Sequence, residues 1–277
     1  MNIIKDAFPE IKRELKFIPL GVDEPNILNK NVINSYNING FFFPLNVFNE
    51  QEINKIRFSF DAIFSKALSK GWNSYQIINW HKYCASIYDI VTNKKIIQIV
   101  KDFLGESVIL RHSHFFVKLP GDKKIINWHQ DASYWPLSMS KVITVWLAID
   151  DVDFDNGAMK FITGSHINNQ IPFKKSLKTE NNVLNQTVDN PENYGKEIQI
   201  VKLKPGQISL HSDWTLHASD ENLSKKRRCG LAMRFLTNEV KAFNDWNTNS
   251  IICSGNDPSG HWYNHKRPGG DNIPNID

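Results

Sequence analysis

Hydrophobic and polar positions recur with two different periods along this chain. In the first hundred residues, apolar side chains return every three or four positions, which is typical of helices that bury one face. The clearest helix begins at Asn49, an N-cap residue with Glu52 placed to complete a capping box, and ends before Gly71. A second helix is predicted between Asn93 and Gly105. Both are expected to pack on another layer of structure.

From Ser107 onward the pattern changes to short runs of Val, Ile, Phe and Thr, separated by Gly, Pro, Asn and Asp, which predicts strands and turns. Between these runs, residues 168–196 are polar and lack periodicity, so this segment is interpreted as either a lid or a disordered loop. Short strands behind a helical third predict a mainly β, α+β fold, a sandwich or barrel with helices on one face. The predicted strands are Val108–Leu119, Val142–Ile149, Met159–Ile162, Ile198–Leu203, Gln207–His211 and Cys229–Leu236.

The length of 277 residues, 41% of them hydrophobic, lies near the upper end of what one continuous core supports. We therefore predict a single domain over residues 1–277. It divides into an N-terminal helical part at 1–106, a β-rich core at 107–237 and a C-terminal extension at 238–277.

Composition and charge disfavour several classes of protein. No stretch approaches the roughly 20 apolar residues that a membrane span needs, and residues 1–10 are too polar for a secretory signal. The odd number and wide spacing of Cys84, Cys229 and Cys253 predict free thiols in a reducing cytoplasm. A net charge of +4 is too small an excess to predict nucleic-acid binding, although it favours an anionic small-molecule substrate.

One short segment has the spacing of a metal-binding pair. His129 and Asp131 lie two residues apart, so on an extended strand both side chains project from the same face. With His217 they would complete a two-histidine, one-carboxylate set, which is associated with iron(II) oxygenases. Three ligands on one face leave three coordination positions open, which a closed tetrahedral zinc site does not provide. Two of these would bind a 2-oxo acid and the third dioxygen.

A 2-oxo acid with a second carboxylate also needs a cation at a fixed distance from the metal. Arg228, eleven residues after His217, is a candidate because a guanidinium binds a carboxylate through two parallel hydrogen bonds. A His-x-Asp pair alone is weak support for a metal, and His217 alone would be interpreted as a buried structural histidine. The combination of these residues carries the prediction.

Three further side chains are candidates to line a substrate pocket. Tyr134 and Trp135 follow the predicted metal pair closely, and His81 lies in an aromatic and polar cluster ahead of the strands. His166 and His211 are interpreted as structural histidines, because one lies in a Gly-Ser-His turn and the other ends a predicted strand.

At these residues the chain resembles the phytanoyl-CoA dioxygenase family of iron(II)/2-oxoglutarate oxygenases. The matches occur in order from Gly40 to about Phe235, and they cover most of the chain. They include His129-Gln130-Asp131, Tyr134-Trp135-Pro136-Leu137, Val145-Trp146-Leu147-Ala148, Asp155-Asn156-Gly157-Ala158-Met159, Gly164-Ser165-His166, Pro205-Gly206, Leu216-His217-Ala218-Ser219, Asn222 with Ser224, and Arg228 with Gly230 and Arg234-Phe235.

The resemblance implies a double-stranded β-helix, or jelly-roll, core with the N-terminal helices packed on one face. It implies that His129, Asp131 and His217 bind Fe(II), and that Arg228 binds the distal carboxylate of 2-oxoglutarate, with O2 as the second co-substrate. Lys118, Gln130 and Trp146 are expected to line the co-substrate pocket. Asp131 favours hydroxylation of an aliphatic carbon, since relatives that halogenate have a small residue at this position.

Two alternatives stay open at this point. The chain could be a jelly-roll binding module without catalysis, against which the full set of His129, Asp131, His217 and Arg228 argues. It could also be a cupin-type metal hydrolase or isomerase, which would need neither Arg228 nor oxygen. The fold does not choose the substrate, and the sequence leaves the oligomeric state open.

Overall fold

The computed structural model describes residues 3–276 of the chain. Within this range the chain forms four α-helices and twelve strands. The helices are α1 (Lys30–Asn39), α2 (Glu50–Ser69), α3 (Ala85–Val91) and α4 (Lys94–Leu104). The strands are β1 (Phe41–Asn46), β2 (Val108–Lys118), β3 (Ile126–His129), β4 (Val142–Ala148), β5 (Met159–Ile162), β6 (Lys174–Lys175), β7 (Gln186–Thr187), β8 (Ile198–Ile200), β9 (Gln207–Ser212), β10 (His217–Ser219), β11 (Arg228–Leu236) and β12 (Ile251–Ser254).

Ten strands form two antiparallel sheets that pack face to face. The large sheet has the strand order β1-β9-β4-β11-β2-β12, and the small sheet has the order β3-β10-β5-β8. Trp146 and Ala232 from the large sheet and Met159 and Phe161 from the small sheet belong to one buried apolar cluster. The predicted mainly β, α+β class is confirmed, and the two facing sheets have the architecture of a jelly roll.

The large sheet buries a different kind of side chain on each face. On its outer face, Leu147, Leu231 and Met233 join the same apolar cluster as residues of α2 and α4. On its inner face, toward the small sheet, the same strands place Trp146 and Ala232. This alternation follows from the two-residue period of a strand. The inward-facing side chains of the large sheet therefore lie between the two sheets.

Helix α2 covers the outer face as the sequence predicts. Asn49 caps its first turn, and the Asn49 and Glu52 side chains accept hydrogen bonds from each other's backbone amides, which confirms the capping box. Phe60 lies between two aromatic rings, with centroid distances of 5.5 Å to Phe64 and 4.3 Å to Phe115 of β2. These contacts attach the helix to the sheet.

The remaining elements agree with the predictions to different degrees. The second predicted helix is α4, and β5 has the predicted bounds, whereas β8 ends at Ile200 rather than at Leu203. The elements without a prediction are α1, α3, β1, β3, β6, β7, β10 and β12. None of the helices that the structure describes is long and apolar enough to cross a membrane.

The polar segment 168–196 has an ordered position beside β3. It contains the pair β6–β7, and its Val188 amide donates a hydrogen bond of 2.8 Å to the carbonyl oxygen of Trp128. The Ile125 amide donates in turn to the Asn181 carbonyl oxygen at 3.1 Å. The segment therefore extends the edge of the small sheet.

A buried carboxyl group, Asp213, lies in the turn between β9 and β10. The hydroxyl groups of Ser140 and Ser212 donate hydrogen bonds to its Oδ1, and its carbonyl oxygen accepts one of 3.0 Å from the Ala132 amide. Burial raises the pKa of Asp213 to about 7, and the nearby negative charge of Asp131 acts in the same direction. The turn is thus fastened to the segment between β3 and β4 through the carbonyl oxygen and the carboxyl group of Asp213.

We expect Phe60→Ala to lower the free energy of unfolding by about 3–5 kcal/mol, because it leaves a cavity between two rings. Phe58→Ala is the matched control, since Phe58 is on the same helix but is 79% exposed, and its effect should stay within about 0.5 kcal/mol. Urea denaturation measures both values. Equal effects of the two substitutions would contradict the packing described here.

We expect Asp213→Asn to change how stability depends on pH. An aspartate whose folded pKa is raised to about 7 binds more protons in the folded state than in the unfolded state between about pH 4 and pH 7. The wild-type protein should therefore lose stability as the pH rises through this window, by about 4 kcal/mol at most. The asparagine variant should lack this loss.

Urea denaturation at several values between pH 4 and pH 8 measures the difference between the two proteins. Asp23→Asn, at an exposed aspartate, controls for the change of net charge. A constant difference between Asp213→Asn and the wild type across this range would contradict the raised pKa.

Candidate metal centre and cavity

Two short strands of the small sheet bring the predicted histidines together. β3 and β10 pair in an antiparallel manner with His217 opposite His129, and the two ring centroids are 4.1 Å apart. Asp131 begins a single 3-10 turn, Asp131–Tyr134, just after β3 ends. This turn keeps the carboxylate beside the two imidazoles.

The three side chains have the geometry of a metal-binding set. Asp131 Oδ1 lies 3.7 Å from His129 Nε2 and 4.0 Å from His217 Nε2, and one donor atom from each residue lies within 4.8 Å of the others. All three residues are buried. No other group of three His, Cys, Asp or Glu side chains within residues 3–276 has this arrangement.

Neighbouring backbone groups orient both imidazoles. The Nδ1 atom of His129 lies 2.8 Å from the Asn127 carbonyl oxygen, and that of His217 lies 2.9 Å from the Thr215 carbonyl oxygen. A carbonyl can only accept, so each Nδ1 carries a proton, and Nε2 is left as the nitrogen that lies toward the carboxylate and can bind a metal. This is the tautomer that a metal at Nε2 requires.

The charge state of the set also suits a metal. Burial alone would raise the pKa of Asp131, but Arg234 and the histidines around it outweigh burial and hold that pKa well below its usual range. Burial depresses the pKa of His217. A charged carboxylate and neutral imidazoles are the forms that bind a metal cation.

The metal-binding set opens into a cavity of about 220 Å³ between the two sheets. His129, Asp131 and His217 lie on the cavity wall. Four other predicted site residues line it as well: Arg228, Tyr134, Trp135 and Trp146. A wider cleft of about 410 Å³ near Asp153 and Lys202 holds exposed ion pairs and few buried groups, so it is a weaker candidate.

Arg228 is a buried cation with free donors. It is 1% exposed, its guanidinium carbon lies 5.6 Å from the centre of the Trp146 ring, and its Nε and Nη2 atoms have no hydrogen-bond partner among the described residues. Burial lowers its pKa to about 10, so it stays charged at neutral pH. A buried guanidinium without an anion is costly, which points to a ligand that supplies one.

Gly230 explains how Trp146 fits beside Arg228. A Cβ atom at this glycine would lie 1.8 Å from the indole ring of Trp146. Only glycine therefore lets β11 and the Trp146 ring pack together at this point. The ring forms the cavity wall next to the guanidinium.

Three of the predicted site residues lie outside the cavity wall. Lys118 pairs with Arg228 across β2 and β11, but its ammonium group donates hydrogen bonds to the carbonyl oxygens of Lys124 and Asp220. Burial lowers the pKa of Lys118 to about 7. Two of its three donors hold loops, and Lys118 lies outside the cavity wall in this structure, so its role in the co-substrate pocket stays a prediction.

Gln130 has a structural position for a similar reason. Its side-chain amide donates to the carbonyl oxygens of Asn169 and Trp214, and its side-chain oxygen accepts from the Ile171 amide. Because His129 and Asp131 face the cavity, the residue between them points the other way. Gln130 thus attaches β3 to the segment after β5.

His81 also lies away from the cavity. Its two ring nitrogens are within 2.7 Å of the Ser113 hydroxyl oxygen and 2.8 Å of the Asn249 carbonyl oxygen, so both are occupied. It connects a 3-10 turn to β2 and the C-terminal segment. The expectation that His81 contacts substrate is not supported by this position.

Two polar cavity residues that lie beside the Asp131 carboxylate were not assigned a site role from the sequence. His211, interpreted as structural, lines the cavity with its Nε2 3.9 Å from Asp131 Oδ2, and neither of its nitrogens has a hydrogen-bond partner in the described part of the chain. Arg234 lies on the cavity wall with its Nη2 3.5 Å from the same oxygen. The two-residue period on β9 and β11 is the signal that identifies both as inward-facing. His166 does have a structural position, since its Nε2 contacts the Asn37 carbonyl oxygen.

Comparison with curated proteins finds relatives of one kind. The chain is 27% identical over 173 residues to a probable alpha-ketoglutarate-dependent hypophosphite dioxygenase of Stutzerimonas stutzeri, which covers 62% of this chain and 58% of the relative. It is 30% identical over 123 residues to a phytanoyl-CoA dioxygenase of Arabidopsis thaliana, which covers 43% of this chain and 41% of the relative. The chain thus aligns with roughly half the length of these relatives.

Solved structures share the fold at low sequence identity. The non-heme monooxygenase ThoJ in its apo form has a TM-score of 0.73 and 22% identity, over 86% of this chain and 88% of its own. CytC3 with Fe(II) and alpha-ketoglutarate, which is 2-oxoglutarate, has a TM-score of 0.59 and 18% identity, over 90% and 97%. Both similarities concern the fold.

The family comparison decides the classification. The profile of the phytanoyl-CoA dioxygenase (PhyH) family matches residues 36–230, which include β1 to β10, the metal-binding set and Arg228. This range covers well over half of the chain, and the resemblance read from the sequence motifs is confirmed. The chain belongs to the phytanoyl-CoA dioxygenase (PhyH) family.

Proposed function

We propose that this protein is an Fe(II)- and 2-oxoglutarate-dependent dioxygenase that hydroxylates an aliphatic carbon of a small molecule and releases succinate and CO2. One observation carries the proposal. A buried set of two histidines and one carboxylate shares a cavity with Arg228, whose Nε and Nη2 have no hydrogen-bond partner within residues 3–276.

The metal-binding residues suit Fe(II). His129, His217 and Asp131 would hold it, and the two-histidine, one-carboxylate set with open positions is associated with non-haem iron oxygenases. When bound, iron with dioxygen supplies the redox chemistry that couples oxidative decarboxylation of 2-oxoglutarate to oxidation of the substrate. The protein supplies binding, orientation and an environment without bulk water.

The cavity wall contributes the binding groups. Arg228 would hold the distal carboxylate of 2-oxoglutarate by two hydrogen bonds, since a planar guanidinium matches a carboxylate. Trp146 limits the positions that this guanidinium can take. The cavity of about 220 Å³ is smaller than most drug-sized pockets, which supports a small substrate.

The relatives support this co-substrate. The name of the Stutzerimonas stutzeri relative states alpha-ketoglutarate dependence, and the structures of CytC3 and of the epimerase SnoN contain iron with alpha-ketoglutarate. Besides the epimerase SnoN, the neighbours include the carbocyclase SnoK, so this fold accommodates several outcomes. Hydroxylation is proposed because Asp131 occupies the position that a halide would need.

The cellular setting is also part of the proposal. All three cysteines, Cys84, Cys229 and Cys253, are free thiols in the structure. Unpaired cysteines suit a reducing cytoplasm, in which Fe(II) is easier to retain.

Anaerobic titration of the protein with Fe(II) and 2-oxoglutarate should produce a visible charge-transfer band. Asp131→Asn, which keeps the size of the side chain but loses its charge, should weaken or abolish the band. Absence of the band in folded wild-type protein would refute the proposal. Oxygen consumption with succinate release separates it from an oxygen-independent hydrolase or isomerase, and a product that gains one oxygen atom separates hydroxylation from desaturation.

Arg228→Gln should raise the Kd for 2-oxoglutarate by roughly a hundredfold, and Arg228→Lys by roughly tenfold, because lysine keeps the charge but not the paired hydrogen bonds. The charge-transfer band provides the titration signal. Arg227→Gln is the matched control, since Arg227 is the next arginine but pairs with Asp150 and Asp61 outside the cavity. An unchanged Kd in Arg228→Gln would remove Arg228 from the co-substrate site.

A further inference from the structure

The cavity wall contains a second buried arginine that the co-substrate does not require. Arg234 lies six residues after Arg228 on β11, so both side chains project from the same face of the strand. Six residues of extended chain separate their Cα atoms by about 20 Å. The two guanidinium groups therefore serve different parts of the cavity, and Arg234 lies on the Asp131 side.

Aromatic rings and one histidine hold Arg234 in place. Its guanidinium carbon lies 5.9 Å from the centre of the Phe116 ring and 5.6 Å from that of Trp135. Its Nη1 lies 3.2 Å from His112 Nδ1, and its Nη2 lies 3.5 Å from Asp131 Oδ2, at the long limit of a hydrogen bond. Its Nε has no partner among the described residues, although Arg234 is only 7% exposed. The guanidinium group of Arg234 is thus held in position, and part of its hydrogen-bond donor capacity is unused.

The charges around the cavity leave an excess of one positive charge. Among the arginine, lysine and carboxylate side chains, the wall holds two cations, Arg228 and Arg234, and one anion, Asp131. In the proposed function, Fe(II) and the 2-oxoglutarate dianion cancel each other. A cation that stays uncompensated in a buried site is costly.

Neutral donors surround the same region. The Tyr134 hydroxyl, the Ser219 hydroxyl and both nitrogens of His211 are buried on the cavity wall without hydrogen-bond partners among the described residues. A ligand with several acceptor atoms would satisfy the two hydroxyl groups and the one protonated nitrogen of His211 together with Arg234, since a neutral imidazole has a single N–H. An oxyanion has this property, whereas an aliphatic group does not.

We propose that Arg234 binds an oxyanion group of the primary substrate, so that the substrate is a small organic monoanion such as a carboxylate or a phosphonate monoanion. This inference rests on the proposed function and names its substrate class. Because Arg234 lies beside Asp131, the carbon to be oxidised is within a few bonds of the anionic group. The side chains of Tyr134, Ser219 and His211 would then select among substrates by the positions of the acceptor atoms in the anionic group.

The test uses matched pairs of small ions and neutral analogues on the anaerobic protein with Fe(II) and saturating 2-oxoglutarate. The probes are acetate, butyrate, benzoate and methylphosphonate, each compared with acetamide, butyramide, benzamide or dimethyl methylphosphonate. Binding is read as a concentration-dependent rise in Tm, since a ligand of the folded state stabilises it. At least one anion should raise Tm more than its neutral partner.

Variants assign the effect to Arg234. In Arg234→Met the affinity for that anion should fall at least tenfold, with a smaller fall in Arg234→Lys, while the Kd for 2-oxoglutarate from the charge-transfer band stays within about twofold. Arg111→Met is the matched control. Arg111 is a buried arginine on the neighbouring strand β2, but it stacks on Trp246 at 3.6 Å and does not line the cavity.

Three outcomes would overturn the inference. The neutral partners could bind as well as the anions, the anion effect could persist in Arg234→Met, or Arg234→Met could lose 2-oxoglutarate affinity and retain the anion. If Arg234→Met does not fold, the wild-type pairs and Arg234→Lys decide. If no charge-transfer band forms, the proposed function fails, and the same anion titrations on metal-free protein still test Arg234.

Discussion

The alternation of side chains along β11 is the constraint on which the site depends. Leu231 and Met233 face the apolar layer under the helices, whereas Arg228 and Arg234 face the cavity. Nine residues of β11 pair with β2 and seven with β4, so the register of this strand is strongly defined. A slip of one residue would place both guanidinium groups in the apolar layer. The alternation along β11 therefore supplies both the apolar surface that the helices cover and the arginines of the cavity.

The metal-binding set depends on a much shorter pairing. β3 and β10 have only four and three residues, yet they place His217 opposite His129. Their register is supported from outside the strands, because Gln130 binds three backbone groups and the segment 168–196 bonds to the edge of β3. Gln130, which was predicted from the sequence to line the co-substrate pocket, thus supports the position of the metal-binding residues instead.

The sequence predicted the elements with clear local signals and the spacing of the ligands, but it missed α1 and α3 as well as several short strands. Helix α2 and strand β5 have clear local signals, and two residues of spacing suffice to put His129 and Asp131 on one side. β10 is too short to show a period, and the positions of Lys118 and His81 depend on loops distant in the sequence. The inward position of His211 was predictable from the sequence, unlike those of Lys118 and His81. Ile208 and Leu210 face the helices, and the same alternation turns His211 inward.

Burial of charged side chains in the cavity destabilises the folded state, and apolar packing on the outer face of the same sheet offsets this loss. Arg228, Arg234 and Asp131 are each at most 7% exposed, and desolvation of such groups is unfavourable by several kcal/mol unless opposite charge compensates. Apolar packing around Phe60 and the helices supplies stability elsewhere, so the arginines can stay undercompensated. An anion that enters the cavity meets donors whose desolvation is already complete. In the proposed function, the free energy that these arginines withhold from folding would contribute to binding and would favour a negatively charged ligand.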